Sequence, residues 1–220
     1  MPPPKLFLFA EGEADVTAIP RLCRRALKHC LGDEKWSGQP LEMCECWRVG
    51  HYGNLLANRY ERWRRYLGIA ARMQASAVLL ILDGDRLRQE CPVTAARRLV
   101  AAADELGAGS KFSLAVVFAM QEIESWFIPD AKNLLGRDAK ATMDDIPGDP
   151  EKSPRDAKGW FAANRVGGYG PTANCGDFAE RVDLKTVEDA GLRSFRRFEN
   201  ALIELHTAAY TGKHQATPSG

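Results

Sequence analysis

The sequence predicts an α/β protein built on a mostly parallel β-sheet with helices on its flanks. Three short, almost purely apolar runs are typical of strands buried on both faces: residues 5–10, 77–82 and 112–120. Segments with helical spacing of apolar residues separate these runs, and strands that alternate with helices favour parallel pairing. Each run stops abruptly at polar or acidic residues, as expected where a buried strand reaches solvent.

The first half of the chain predicts two strand–helix pairs followed by a central strand. Residues 5–10 form the first strand, and residues 15–31 follow with apolar residues at helical spacing, ended by a glycine. Residues 41–49 alternate partly, like a half-exposed strand, and residues 53–73 have the pattern of one long helix. Residues 77–82 give the strongest strand signal, which favours a central position in the sheet.

The second half adds one helix and one strand and then changes character. Residues 92–106 predict a helix that begins at a proline, and residues 112–120 a further buried strand. After that strand the chain becomes rich in proline, glycine and polar residues before helical patterning returns. We therefore expect an α/β domain, residues 1–130, and a loop-rich, helical C-terminal region, residues 131–220, that packs on it. The chain from residue 211 is expected to be frayed.

Composition excludes several classes of protein. The chain has 220 residues, 45% of them hydrophobic and 27% charged, which suits one compact unit and argues against disorder. The formal net charge is +1, so affinity for nucleic acid has to come from local basic clusters. The apolar stretch at the start is too short for a signal peptide or a membrane span, and we expect no membrane partner. Six cysteines without a secretory signal predict reduced thiols in the cytoplasm.

Carboxylates follow three of the predicted strands. They are Glu11, Glu13 and Asp15 after the first strand, Asp83 and Asp85 after the central strand, and Glu122 and Glu124 after the third apolar run. Because the carboxyl ends of parallel strands meet at one edge of a sheet, we expect these acids to converge. Clustered carboxylates need a cation, and their hard oxygen atoms suit Mg²⁺ or Mn²⁺. Asp83 and Asp85, two residues apart, are expected to reach one ion.

Each acidic group also has a simpler interpretation. An Asp-x-Asp sequence is common in turns, and Glu13 is favoured at a helix N-terminus by the helix dipole. Glu122 or Glu124 could be a solvent-exposed residue at the end of a strand. Only the joint pattern, three apolar strands that each end in acid, raises the metal-site hypothesis above these alternatives.

The order of three motifs resembles the Toprim fold of topoisomerases, primases and the overcoming-lysogenisation-defect nucleases. The motifs are Glu11-Gly12-Glu13-Ala14-Asp15, Asp83-Gly84-Asp85 and Glu122-Ile123-Glu124-Ser125-Trp126-Phe127. Over nearly its whole length the chain is similar to an uncharacterised family of small bacterial Toprim-related proteins, and the resemblance extends to Gly168-Tyr169 and to the segment 194–198. It implies a Toprim-like, Rossmann-like catalytic domain over residues 1–130.

The resemblance also implies roles for the acids. Glu11 would be the general acid/base or a metal ligand, and Asp83 and Asp85 would be metal ligands with a part in catalysis. In the nuclease branch Asp15 and a later acid such as Glu124 would help to hold a second ion. Asp15 stands where that branch usually has glutamate, and its shorter side chain would weaken or move that ion. The candidate metal ligands are thus Glu11, Asp15, Asp83, Asp85, Glu122 and Glu124.

A lysine that acts as general base or phosphate clamp is also usual in the nuclease branch. Of Lys152 and Lys158, both in the polar C-terminal region, we take Lys158 as the candidate catalytic lysine. Arg155 and Arg165 lie near it in sequence and are the candidate nucleic-acid-binding residues. Ordinary surface charge is the alternative for each of them. Trp126 is expected to pack in the core and not to stack on a base.

The leading functional hypothesis is a Mg²⁺- or Mn²⁺-dependent endonuclease that hydrolyses phosphodiester bonds of DNA, or of RNA, by attack of water. The resemblance implies a setting in antiviral defence with an ATPase as partner protein, and we also consider a homo-oligomer. Two alternatives stay open: a Toprim-like regulatory or binding subunit without catalysis, which the near-neutral charge favours, and phosphoryl or nucleotidyl transfer to a small molecule. Topoisomerase or primase activity is disfavoured, because 220 residues leave little room for the further domains that it needs.

Overall fold

The computed structural model describes residues 2–87 and 90–218, which form five strands and nine α-helices. The strands are β1 (Lys5–Ala10), β2 (Glu42–Arg48), β3 (Ala77–Asp83), β4 (Ser113–Ala119) and β5 (Ala216–Thr217). The helices are α1 (Glu13–Leu31), α2 (Asp33–Gly38), α3 (Tyr52–Arg72), α4 (Pro92–Ala101), α5 (Ala131–Leu135), α6 (Ala157–Asn164), α7 (Pro171–Arg181), α8 (Leu184–Asp189) and α9 (Arg193–Thr211).

The five strands form one parallel sheet in the order β2-β1-β3-β4-β5. This confirms the predicted α/β class with a Rossmann-like parallel sheet between helices. Ala10 pairs with Ile81, and Asp83 pairs with Ala119, so β1, β3 and β4 end at nearly the same level. The loops that follow these three strands therefore leave the sheet side by side.

The sheet is buried on both faces, and alternate residues of each strand serve the two faces. Leu6 and Leu8 pack with α1, α7 and α9 on one side, while Phe7 and Phe9 pack with α3 and α4 on the other. Every residue of β3 and β4 is buried, which explains why these strands appear in the sequence as unbroken apolar runs.

The C-terminal region shares its core with the preceding α/β part. Phe178 of α7 and Phe195 of α9 belong to the same hydrophobic cluster as Leu6 and Leu8 of β1. The chain after α9 also adds a strand: β5 pairs with β4 through Leu114 and Ala115, where a frayed end was expected. A strand of two residues has no periodicity, so it could not be predicted from the sequence.

Helix α3 differs from the predicted single long helix. Four residues inside it leave the right-handed helical region: Ala57 is extended, and Asn58, Arg59 and Tyr60 have φ of 48°, 55° and 65°. The segments on either side of residues 57–60 are thus two helices joined by a left-handed turn. An apolar periodicity that continues on both sides of a turn cannot reveal the break.

Hydropathy along the helices bears on membrane insertion. In residues 2–87 and 90–218, no helix combines the length and the apolar character needed to cross a membrane.

Candidate active site

A cleft of about 390 Å³ lies beyond the carboxyl ends of β1, β3 and β4. It is lined by residues of the β1–α1 loop, of the segment after β3 and of α6, and six of the seven predicted catalytic or metal-binding residues are among them. They are Glu11, Asp15, Asp83, Asp85, Glu122 and Lys158. The seventh, Glu124, is fully buried beneath the cleft, where its carboxylate lies 3.5 Å from the Lys158 ammonium.

Gly84 allows the two aspartates beside it to enter the cleft. Its N–H donates to the carbonyl of Ala119 at 2.7 Å, and a Cβ at this position would lie only 2.8 Å from the same oxygen. The close approach to β4 therefore requires glycine. Asp83 is the last residue of β3 and is 8% exposed. Asp85 is the first residue of a short 3₁₀ turn, and its side chain is 37% exposed.

Glu11 and Asp83 are coupled across neighbouring strands. The Asp83 N–H donates to Glu11 Oε2 at 3.3 Å, and Asp83 Oδ1 in turn accepts from the Ile123 N–H at 3.2 Å. Asp15 lies in the first turn of α1 and accepts from the Gly12 N–H at 2.8 Å, which fixes its carboxylate at the helix N-terminus. Three acids, two that follow β1 and one at the end of β3, are thus held by backbone N–H groups.

Lys158 of α6 lies among the acids on the β4 side. Its ammonium is 2.9 Å from Glu122 Oε1, 3.6 Å from Asp83 Oδ2 and 3.5 Å from Glu124 Oε2. The Lys158 backbone N–H also donates to Glu122 Oε2 at 3.1 Å. Glu124 accepts from the Tyr169 hydroxyl at 3.2 Å. The C-terminal region therefore supplies the cation of this cluster.

Burial and mutual repulsion shift the acids in one direction. Burial raises the pKa of Glu11 to about 7, although the hydrogen bond from the Asp83 N–H opposes the shift. Burial also raises the pKa of Glu124 to about 7, against the attraction of Lys158. The pKa values of Asp15 and Asp83 are raised by burial as well, and the Asp15 carboxylate adds to the shift at Asp83. One lysine does not balance this many buried carboxyl groups.

The acids of the cleft offer the oxygen ligands that divalent cations prefer, but no three of their ligand atoms, among the described residues, lie within 4.8 Å of one another. Glu124 Oε2 is buried without a hydrogen-bond partner among the described residues, although the Lys158 ammonium lies 3.5 Å from it. In residues 2–87 and 90–218, three ligand atoms within 4.8 Å of one another occur at His29, Glu188 and Glu199 alone, away from the cleft. There His29 Nε2 already lies 3.1 Å from Glu188 Oε1. Repulsion between uncompensated carboxylates explains why those of the cleft stand further apart.

Arg155 and Arg165 are not among the residues that line the cleft. The Arg165 guanidinium donates to the Gly168 carbonyl, to Asn174 and to Asp138, and its side chain is 24% exposed. It holds the loop before α7 in place. Arg155 is an exposed residue just before α6. Trp126 is fully buried between Phe195 and Phe198, which agrees with the expected core role.

Sequence reasoning missed the residues that β2 contributes. Arg48 at the end of β2, followed by Gly50 and His51, lines the cleft opposite the acids. Ligands bind beyond the carboxyl ends of all parallel strands, so the residues after β2 were candidates as well. No carboxylate follows β2 directly, and the expected convergence of acids therefore did not include it. Arg48 also lies 3.8 Å from Glu13, whose side chain is 69% exposed.

Comparison with known proteins places the chain in one family. Residues 10–203 match the family model described as "Domain of unknown function (DUF4276)". The chain belongs to the DUF4276 family. No curated protein and no solved structure matches it. The matched range runs from the end of β1 into α9, so the DUF4276 unit includes both the acidic loops and the C-terminal lysine. The relation of DUF4276 to Toprim proteins stays a prediction from the motifs.

Proposed function

We propose that this DUF4276 protein is a Mg²⁺- or Mn²⁺-dependent nuclease that hydrolyses phosphodiester bonds in the acidic cleft. The observation that carries the proposal is the meeting of Glu11, Asp15 and Asp83 with one ammonium group, Lys158, at the carboxyl edge of a parallel sheet. Carboxyl groups that are buried together have raised pKa values, and such groups are typical of sites that bind a cation or transfer protons.

Two sides of the cleft suit different tasks. Asp83 and Asp85, beside Glu11 on the β1–β3 side, would hold a divalent cation, because Lys158 makes its shortest contact, 2.9 Å, with Glu122 and lies 3.6 Å from Asp83. Asp15, Glu122 and Glu124 would hold a second cation only if Lys158 moved. A bound divalent cation would neutralise phosphate oxygens and lower the pKa of a water molecule. We therefore favour one cation, with the Lys158 ammonium beside it.

The protein's own groups would carry the proton transfers. Glu11, which accepts a hydrogen bond from the Asp83 N–H, would act as the general base and take a proton from the attacking water as the oxygen of that water bonds to phosphorus. The bond from phosphorus to the leaving oxygen breaks, and that oxygen takes up a proton that Glu11 returns through water. The Lys158 ammonium would stabilise the negative charge that develops on the phosphate oxygens. The products are a phosphate monoester end and a hydroxyl end.

The proposal is tested with Asp83→Asn, which keeps the shape of the side chain and removes its charge. We expect cleavage of plasmid and of single-stranded DNA or RNA, with Mg²⁺ or Mn²⁺, to fall by about 100-fold or more. Asp33→Asn, at an exposed carboxylate of α2, is the matched control and should leave the rate unchanged. Equal rates for Asp83→Asn and the wild type would contradict the proposal.

A second candidate is a binding or regulatory subunit without catalysis. The observation in its favour is Lys158 itself, because an ammonium held by three carboxylates compensates charge without any metal. Titration with Mn²⁺ by calorimetry separates the two candidates. A chain that neither binds Mn²⁺ nor cleaves nucleic acid would be such a subunit.

The wider setting rests on the motif resemblance. An ATPase partner, a homo-oligomer and a part in antiviral defence remain proposals that copurification from a native host would test. We propose the cytoplasm as the compartment, supported by six cysteines that are all free thiols.

A further inference from the structure

A second cleft, of about 590 Å³, adjoins the acidic one on the side of α3. We call it the arginine cleft; its main residues are Trp47 of β2 and Asn54, Asn58, Arg62, Arg65 and Tyr66 of α3. Asn54 lines both clefts, so the two are direct neighbours. A Cβ at Gly50, which lines the acidic cleft, would lie 4.0 Å from the Arg62 Nη1 atom.

The arginine cleft concentrates positive charge on a chain that is almost neutral overall. Arg62, Arg65 and Tyr66 lie at positions i, i+3 and i+4 and therefore share one face of α3. Trp63 and Leu67 are buried, so the helix packs on the sheet by its other face. Glu61 is the single carboxylate among the lining residues, against two guanidinium groups. The local excess of positive charge suits a polyanion.

Two aromatic rings stand beside these arginines without full burial. Trp47 and Tyr66 meet edge to face with ring centroids 6.5 Å apart, and both are only half-buried. The Arg62 guanidinium lies over the Tyr66 ring at 5.8 Å, and the Tyr66 hydroxyl donates to the Arg48 carbonyl at 3.2 Å. Accessible rings held next to arginines are the combination that stacks bases while phosphates are neutralised.

We propose that the arginine cleft binds an extended single strand of nucleic acid and leads it to the acidic cleft. A duplex keeps its bases stacked and paired, whereas an unpaired strand can place a base against Trp47 or Tyr66 and its phosphates against Arg62 and Arg65. The inference rests on the proposed function for what happens to the strand in the acidic cleft. Binding in the arginine cleft itself requires neither a metal ion nor catalysis.

The test measures binding without turnover, by fluorescence anisotropy in EDTA. The probes are labelled oligo(dT) and oligo(rU) of about 12 nucleotides and a DNA duplex of the same length. We expect one or both single strands to bind more tightly than the duplex, and the tighter of the two identifies the sugar. The inference would be overturned if neither single strand bound, or if the duplex bound more tightly than both single strands.

Two variants separate the charge from the stacking. Arg62→Ala/Arg65→Ala should weaken binding and reduce the slope of log K against log salt by about 1.4, since each lost phosphate contact on a single strand accounts for about 0.7. Trp47→Ala should weaken binding about tenfold with an unchanged salt slope. Trp47→Phe, which keeps a ring, guards against misfolding and should retain most of the affinity.

The matched control removes two arginines from the opposite side of the sheet. Arg24→Ala/Arg196→Ala changes the net charge equally, and both residues are exposed, on α1 and α9. An equal loss of affinity in this control would show a non-specific charge effect and overturn the inference. Cleavage by the wild type with unchanged KM in the arginine-cleft variants would reject this cleft while leaving the nuclease proposal intact. If the wild type bound oligonucleotides, these variants did not, and the wild type cleaved none of them, the arginine cleft would be supported and the nuclease proposal rejected.

Discussion

Lys158 is the residue on which the charge balance of the acidic cleft depends. Its ammonium group lies within 3.6 Å of oxygen atoms from three carboxylates that come from two different strands. Burial lowers the pKa of this lysine, but Glu124, Asp83 and Glu122 outweigh that effect and raise it. Lys158 therefore stays protonated, and a divalent cation that enters on its side has to displace it.

Replacing Lys158 by alanine tests this balance. The change leaves Glu124 and Asp83 buried without a cation, so we expect a loss of about 2 kcal/mol in the free energy of unfolding in EDTA. Mn²⁺ should stabilise Lys158→Ala more than it stabilises the wild type, because the carboxylates that have lost the ammonium group would attract the metal ion. Urea unfolding with and without Mn²⁺ measures both quantities.

The control for this experiment is Lys152→Ala. The Lys152 side chain is 83% exposed and pairs with Asp149 alone among the residues described, so its loss should leave the free energy of unfolding nearly unchanged. An equal response to Mn²⁺ in Lys158→Ala and the wild type would show that the cleft does not exchange its lysine for a metal ion.

The close contact of Gly84 with β4 predicts that a larger residue at this position lowers stability. Alanine at this position would bring its Cβ to 2.8 Å from the Ala119 carbonyl oxygen, a backbone atom that cannot move alone. We expect Gly84→Ala to lower the free energy of unfolding by about 1 to 3 kcal/mol, measured by urea unfolding. Gly148→Ala is the control, because a Cβ there meets nothing within 4 Å in the described part of the chain. Equal stability of the two variants would refute the steric argument.

Single residues of the site were predictable to different degrees. Asp83 and Asp85 follow from the apolar run before them, because a buried strand must end where charge begins. Lys158 came from the motif resemblance alone, since one lysine in a polar loop carries no signal of its own. Arg62 and Arg65 belong to an arginine-rich stretch of the sequence, but only the fold shows that both line one cleft with Trp47.

The left-handed turn in α3 is the main surprise at the scale of elements. Three consecutive residues other than glycine adopt positive φ there, and such a conformation costs about 1 to 2 kcal/mol for each residue with a side chain. Asn58 tolerates it best, whereas Arg59 and Tyr60 do not. The turn lies beside the arginine cleft, where strained backbone is typical of a functional surface.

Arg59→Gly should relieve part of this strain. Glycine accepts a φ of 55° without a steric penalty, but it also makes the unfolded chain more flexible. We expect a net gain of about 0.5 kcal/mol in the free energy of unfolding, from urea unfolding. The same replacement at Arg65, within the right-handed helix, should cost about 1 kcal/mol. A loss of stability in both variants would show that the turn is not strained.

Elements with strong patterns were predicted closely, and weak patterns were not. The residues of β1, β3 and β4 are buried on both faces, so composition alone marks them. The position of β2 at the edge of the sheet leaves it half-exposed, and alternation still revealed it. β5 owes its existence to pairing with β4, a tertiary interaction that no local pattern records.

At the scale of the whole molecule, Glu199 links the pH to stability where α1, α8 and α9 meet. Burial and the nearby Glu188 carboxylate raise its pKa from an ordinary 4.5 to about 7. The folded chain therefore binds more protons than the unfolded chain between these two values, and this group's contribution to stability falls as the pH rises through that window. Above pH 7 the fold carries a buried charge.

Glu199→Gln should remove this dependence. We expect the variant to gain roughly 1 to 2 kcal/mol in the free energy of unfolding over the wild type above pH 7, with no difference near pH 4.5. Urea unfolding across this pH range measures the difference. Glu180→Gln, at an exposed position of α7, is the control and should follow the wild type at every pH. A constant offset for Glu199→Gln would contradict the assigned titration.

The core that α9 shares with the sheet limits how genes of this family can diverge. Glu151 and Ser194 connect the loop before α6, the start of α9 and the end of β4, through hydrogen bonds to the N–H groups of Ser194 and Met120. Recombination between two genes near residue 130 would combine the sheet and acids of one protein with the Glu151, Lys158 and Ser194 positions of another. We therefore expect the acids and Lys158 to be exchanged between relatives only as a unit, whereas changes on the exposed face of α3 would leave the core intact.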